Sequence, residues 1–364
     1  MIVLRELTAA SFSGFLHKMI DYKLKTINQD FQVTEVSIIP PFSDRKNSSI
    51  TYLKLSKSGW TTFDAQDEIK KFFDLDYDNI RTEGLKDEDA ITSQIVSIAK
   101  ILHREDIKKF NLKYTGENYM ELSLLGFGNH PLNPGILHGN CFKIVIRNLT
   151  KKLSENVYKY CSENQYISFI NYYDSQRFGT PGSCHNTHLI GKAIIDNNWD
   201  QALEELIKSG NKEIDNKKTP IKNPKELFLS SVNPNKVKFF VKSYDSYNWN
   251  KSLSKDLYNR NHCTSYVFQH IGKLYLPHFD QFLTHNSFIV PAHVFLAEEQ
   301  LVGKKEMKRR SSVTTNIICY APEHDELYKG KHSVLLDFFL PTGSYGTMLI
   351  RQLFLKVIKE SKVE

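Results

Sequence analysis

Gly84-Leu85-Lys86-Asp87-Glu88-Asp89-Ala90-Ile91-Thr92-Ser93-Gln94 sets one glycine ahead of four consecutive charged side chains. Glycine reaches backbone angles closed to other residues, so a dense polar cluster directly behind one belongs at a turn or a site. Downstream, Ile95, Ile98 and Leu102 fit a helix or a strand equally well, and the pattern alone does not choose. By itself an aspartate in such a run is ordinarily a turn former or a surface ion-pair partner. Its neighbourhood must say more.

Toward the N-terminus, Phe31-Gln32-Val33-Thr34-Glu35-Val36 alternates apolar and polar residues as a half-buried strand does, and Thr51-Tyr52-Leu53-Lys54-Leu55 reads as its partner. The turn Lys57-Ser58-Gly59-Trp60 leads to a helix capped by Thr61 or Thr62, with Ala65, Ile69, Phe72 and Phe73 on its apolar face. Toward the C-terminus, Leu137-His138-Gly139-Asn140 reads as a turn into the strand Phe142–Arg147, whose basic residues point away from the face of Phe142, Ile144 and Ile146. Two helical stretches between Thr187 and Ile207 end at Lys208-Ser209-Gly210, and a lysine-rich loop follows to Lys225. Ser333–Leu340 is a last strong strand, broken at Pro341 and Gly343, ahead of a helix from about Ser344 to Lys359. Strands at both ends with helices between them predict an α+β fold: a sheet built from both termini and interrupted by an inserted domain.

The chain of 364 residues exceeds the usual size of one domain, and its 40% hydrophobic and 24% charged composition argues against disorder. Five scattered cysteines form no CxxC pair, which speaks against a disulfide framework or a zinc ribbon. The N-terminus lacks a signal-peptide core, and no apolar run nears the roughly 20 residues that span a bilayer, so a reduced cytoplasmic setting and no membrane are expected. A net charge of +7 favours a polyanionic partner without proving one. The 13 histidines show neither HExxH nor finger spacing, so no metal is expected.

Several segments in order resemble one family, the TruD pseudouridine synthases of transfer RNA. They are Leu24-Lys25 with Asp30–Glu35, Lys57–Thr62, Gly84-Leu85-Lys86-Asp87 with Ala90, Thr92 and Gln94, and Gly135–Phe142. Asn171–Gly179, Thr187–Gly191, Tyr244–Tyr247 with Trp249-Asn250, and Leu340–Thr347 with Arg351 follow. The resemblance implies a pseudouridine synthase catalytic domain with a mixed, largely antiparallel sheet and flanking helices. On that reading residues 1–177 and 316–364 form the catalytic domain, and residues 178–315 an inserted α/β TRUD-type domain. It also implies isomerisation of uridine 13 of tRNA by an aspartate, here Asp87, needing neither metal nor organic cofactor; separately, a monomer is expected.

The chemistry fits those residue types. A carboxylate can attack or stabilise a sugar while its base turns over, if a cation keeps it ionised. Lys25 and Lys86 are the candidates, and Lys25 aligns with a family active-site lysine. A flipped uridine needs an aromatic face to replace lost stacking; Phe142 matches the family's, although at the head of a strand it would by default be core. Asn140 is expected to bond the aspartate or the uracil edge, and Arg177 to contact phosphate or brace the carboxylate. Lys217, Lys218, Lys304, Lys305, Arg309 and Arg310, ordinarily solvated loop residues, become expected backbone contacts in an RNA enzyme. The chain departs from the family pattern at Glu88, where Lys or Arg is usual, and at Glu83, where a small residue is common. Both add negative charge near Asp87, which leaves room for a paralogue acting on another RNA, or for an RNA-binding or chaperone protein with catalysis weak or lost.

Overall fold

The computed structural model describes residues 21–133, 135–179, 183–210, 223–260, 263–268, 270–277, 288–295 and 301–360. In chain order the elements are β1 (Phe31–Ser37), β2 (Ile50–Lys57), α1 (Thr62–Phe73), β3 (Ile80–Thr82), β4 (Ile91–Ile98), α2 (Arg104–Lys113), β5 (Met120–Gly128), β6 (Leu137–Leu149), α3 (Lys151–Glu163) and β7 (Tyr166–Ile170). Then come α4 (Thr187–Ile195), α5 (Trp199–Lys208), α6 (Pro224–Ser231), α7 (Pro234–Asn259), β8 (Cys263–Phe268), β9 (Gly272–Pro277), β10 (Phe288–Phe295) and β11 (Leu301–Arg309). The chain closes with β12 (Ser312–Cys319), β13 (Glu323–His324), β14 (His332–Pro341) and α8 (Gly346–Glu360). The fold is α+β, with flanking helices on a large, mostly antiparallel sheet, as expected.

The sheet runs β5-β2-β4-β1-β6-β14-β12-β7, with β3 beside β4 and β13 beside β14. β1 pairs parallel with β4 and antiparallel with β6, so segments from both ends of the chain meet at its centre. The ambiguity behind Gln94 resolves here. Every residue from Gln94 to Ile98 is buried, because β4 lies between β1 and β2 and is covered on both faces. A strand covered on both faces loses the alternation that would identify it. α1 starts as expected, with the Thr61 hydroxyl accepting from the Asp64 N–H, and it buries Ala65, Ile69 and Phe73 against Leu53, Leu55 and Val96.

Leu137–Asn140 is strand, not turn: it opens the 13-residue β6. Gly139 serves close approach instead of chain reversal, since a Cβ there would lie 2.2 Å from the Leu340 carbonyl oxygen on β14. Nor is Arg147 a solvated base. It is buried and donates to Asp30 at 2.8 and 2.9 Å and to Asp325 at 3.1 Å. The basic stretch around Lys305 is likewise the strand β11, paired with β10, and not a loop.

The chain divides into two compact units. One comprises Asp21–Ile167 and Thr314–Gly346 with the chain from Val357, and it holds most of the sheet. The other comprises Ser168–Val313 and Thr347–Lys356. In the second, α4 to α7 share a core of Ile190, Ile194, Leu203, Leu206, Phe228 and Val241. Its α7 is 26 residues long yet buries Ser243, Asp245, Ser246 and Asn250 beside Trp249 and Leu253, so polar side chains point inward and blur any amphipathic stripe. Those polar groups are used: Asn250 exchanges two 2.8 Å hydrogen bonds with the Tyr173 backbone, and Ser243 donates to the Arg177 carbonyl at 2.8 Å.

Candidate active site

The loop carrying Asp87 is held by its backbone. Gly84 takes φ +73°, the left-handed region the sequence reserves for a glycine. Beyond it the Lys86 N–H donates to the Thr62 hydroxyl at 2.8 Å, and the Gly59 N–H donates to the Glu88 carbonyl at 3.1 Å. The Asp87 carbonyl accepts from the Lys57 ammonium at 2.8 Å. Its side chain keeps 29% exposure, and its Oδ2 lies 2.8 Å from the Lys25 Nζ.

Lys25 sits on a turn that is itself anchored. Its φ is +56°, and Lys23 exchanges two 3.0 Å backbone hydrogen bonds with Arg147. Two residues further the Ile27 N–H donates to Asp30, the same carboxylate that holds Arg147. Burial works against the Asp325 carboxyl, but the Asn148 and Leu327 N–H groups and Arg147 outweigh it and lower its pKa. The buried Arg147 network therefore fixes the segment that aims Lys25.

Aromatic rings continue from this pair. The Lys25 ammonium lies 4.5 Å from the Phe31 ring centre, and Phe31 meets Phe142 edge-on at 6.2 Å. Phe142 stacks on Phe338 at 5.3 Å and 18°, the two being direct partners across β6 and β14. Asn140, opposite Glu35 of β1, has a buried carboxamide oxygen with no hydrogen-bond partner among the described residues.

Lys86 does not join Asp87. Its ammonium is 3.1 Å from Glu35, both side chains almost wholly buried. Sequence reading passed over Glu35 and Lys57, because one sits inside an alternating strand and the other opens a turn. Burial pulls Lys57 down to about 8, although Asp87 and Glu88 favour its charge. Burial also raises the pKa of Glu83 and of Glu88, so neither acts as a fully solvated carboxylate.

Arg177, Lys305, Arg309 and Arg310 belong to the second unit. Arg177 donates to Ser246 at 3.0 Å and stands 4.9 Å from the Phe239 ring. Arg309 donates to Asn171 at 2.9 and 3.0 Å and covers the Tyr173 ring at 3.9 Å. Lys305 and Arg310 are exposed. Lys217 and Lys218, and the side chain of Lys304, lie outside the described residues. Among the described residues, no group of three or more His, Cys, Asp or Glu side chains is placed to hold a metal ion, and no helix is long and apolar enough to cross a membrane.

An ion-paired, part-exposed carboxylate whose lysine lies over the Phe31 ring is placed for polar chemistry, whereas Phe142 is buried at 7% exposure, as a residue at the head of a strand is by default. The chain is 25% identical to tRNA pseudouridine synthase D of Leptospira interrogans, over 95% of this chain and 98% of that protein. It is 27% identical to tRNA pseudouridine synthase D of Aquifex aeolicus, over 93% and 100%. The crystal structure of the TruD protein from Methanosarcina mazei shares the fold, with a TM-score of 0.52 at 20% identity over 91% of this chain and 93% of that one. The family model for tRNA pseudouridine synthase D (TruD) matches residues 16–227, which include Lys25, Asp87, Asn140, Phe142 and Arg177. The chain belongs to the TruD family of pseudouridine synthases.

Proposed function

We propose that this protein isomerises uridine to pseudouridine in transfer RNA, at position 13, with Asp87 as the nucleophile. The observation carrying the assignment is the 2.8 Å contact of Asp87 with Lys25, adjoining the Phe31, Phe142 and Phe338 rings. In the reaction the C1′–N1 bond breaks and a C1′–C5 bond forms, while the C5 proton leaves and N1 gains one, so no redox partner is needed. Lys25, 2.8 Å from the Asp87 Oδ2, aims the carboxylate. Phe142 supplies the face for the flipped base, replacing stacking of roughly 1–3 kcal/mol. The unpartnered Asn140 oxygen suits an N–H of the uracil edge.

The catalytic domain comprises residues 1–177 and 316–364 and the insertion residues 178–315, with Arg177, Lys217, Lys218, Lys304, Lys305, Arg309 and Arg310 toward RNA. The enzyme works in the cytoplasm as a monomer without metal or cofactor. Carbodiimide-dependent reverse-transcription stops in RNA from cells with the wild-type gene, without it, and with Asp87→Asn test the reading. Wild type restores a stop at tRNA position 13 and Asp87→Asn does not. A stop made by Asp87→Asn removes Asp87 as nucleophile, and stops confined to another RNA make the chain a paralogue with a different substrate.

A further inference from the structure

Lys57 closes β2, where its backbone is paired on both sides, with Thr92 of β4 and Met120 of β5. Its side chain is fully buried. The ammonium donates to the carbonyl oxygens of Trp60 at 2.7 Å, Asp87 at 2.8 Å and Lys86 at 3.4 Å. No carboxylate is among these acceptors. Burying a charge without a direct counter-ion costs stability, and an apolar side chain would avoid that cost. The charged groups facing it are Asp87 and Glu88, which favour the ammonium, and Lys86 and Lys25, which oppose it; burial is the largest influence and brings it down to about 8. A costly charge kept beside a candidate nucleophile marks a functional group.

We propose that Lys57 is a positioning residue for pseudouridine formation, its ammonium gripping the carbonyls of Lys86 and Asp87 and so fixing the peptide from which the Asp87 side chain reaches Lys25. The proposal rests on Asp87 as the nucleophile. Lys57 is buried behind the loop and acts through its backbone, without touching RNA. A neutral amine fails in this role, because it donates one hydrogen bond fewer and turns a lone pair toward a carbonyl oxygen.

The test is kcat and KM on a tRNA transcript, from about pH 6 to about pH 9, by release of tritium from 5-tritiated uridine. Wild type, Lys57→Arg, Lys57→Met and Asp87→Asn are compared. Wild-type kcat falls above a pH of about 8 while KM stays level. Lys57→Met lowers kcat about 100-fold with KM changed less than about threefold, and its residual rate has no alkaline limb. Lys57→Arg, charged throughout, keeps more activity than Lys57→Met and also loses the limb. A wild-type kcat that stays level to the alkaline end, or Lys57→Met at wild-type kcat, overturns the proposal. If Lys57→Met does not fold, the wild-type profile and Lys57→Arg decide, and an arginine variant that keeps the wild-type limb counts against it. An inactive Asp87→Asn with a Lys57-independent rate sinks this inference alone, whereas an active Asp87→Asn brings down the nucleophile assignment.

Discussion

Asp87 is gripped twice, by Lys25 at its carboxylate and by Lys57 at its carbonyl. Lys25→Met therefore leaves the loop in place and removes the cation that orients the proposed nucleophile, so kcat is expected to fall by about 100-fold or more while the melting temperature changes little. A circular-dichroism melt beside the tritium assay checks both halves. Lys57 predicts opposite trends with pH. Its folded value of about 8 lies below the ordinary 10.5, so between those values the unfolded chain holds more protons. This group's contribution to stability thus rises with pH across that window, just where turnover falls. Denaturant unfolding of wild type and Lys57→Met shows it as a difference in pH slope. The pairing of Lys25 with Asp87 was nearly legible in the sequence, because both stand in motif positions. The direction of Lys86 was not: Glu35 reaches it only through the β1–β4 pairing, which joins segments far apart along the chain.

β6 is the element on which site and stability meet. It carries Asn140 and Phe142 on its first half and Arg147 near its end. Gly139→Ala would push a Cβ to 2.2 Å from a β14 carbonyl that cannot swing away. The expected cost is about 1–3 kcal/mol in denaturant unfolding, accompanied by lower activity because Asn140 and Phe142 shift with the strand. Arg147→Met strands the buried Asp30 and Asp325 carboxylates, and a cost of about 3–5 kcal/mol is expected. On α4, burial is the main cause that lowers His188 to about 4, with Lys251 adding to it. Since its folded value lies below the ordinary 6.5, stability from this group is lost as pH falls from 6.5 toward 4. His188→Gln should flatten the acid side of the melting curve, and NMR should show the ring uncharged at neutral pH.

At the scale of the whole molecule, the net charge is +7 and Lys305 and Arg310, proposed to face RNA, are exposed. Replacing both with alanine should weaken tRNA binding generally and reduce the slope of log affinity against log salt by about 1 for each phosphate no longer neutralised. Filter binding over a salt series measures it, and an unchanged slope removes these two from the interface. Arg309→Ala belongs to a different class. Its guanidinium is committed to Asn171 and Tyr173, so the expected loss is of stability in the second unit before any loss of RNA affinity.

What the sequence by itself determined is whatever short-range pattern encodes: the alternation of β1 and β6, the capped helix α1, the glycine ahead of Asp87, and ordered segments specific enough to name a family. These depend on residues within a few positions of each other, where periodicity and backbone preference act. The tertiary structure alone decided that β4 is a central strand, that Gly139 marks close packing, that Arg147 is a buried hub, and that Lys57 holds the loop of the proposed nucleophile from behind. Each of these turns on partners far apart in the chain. Burial and pairing there override the local preference that made β4 ambiguous, Gly139 part of a turn, Lys57 the opening of a turn and Arg147 a base pointing away from the apolar face of its strand.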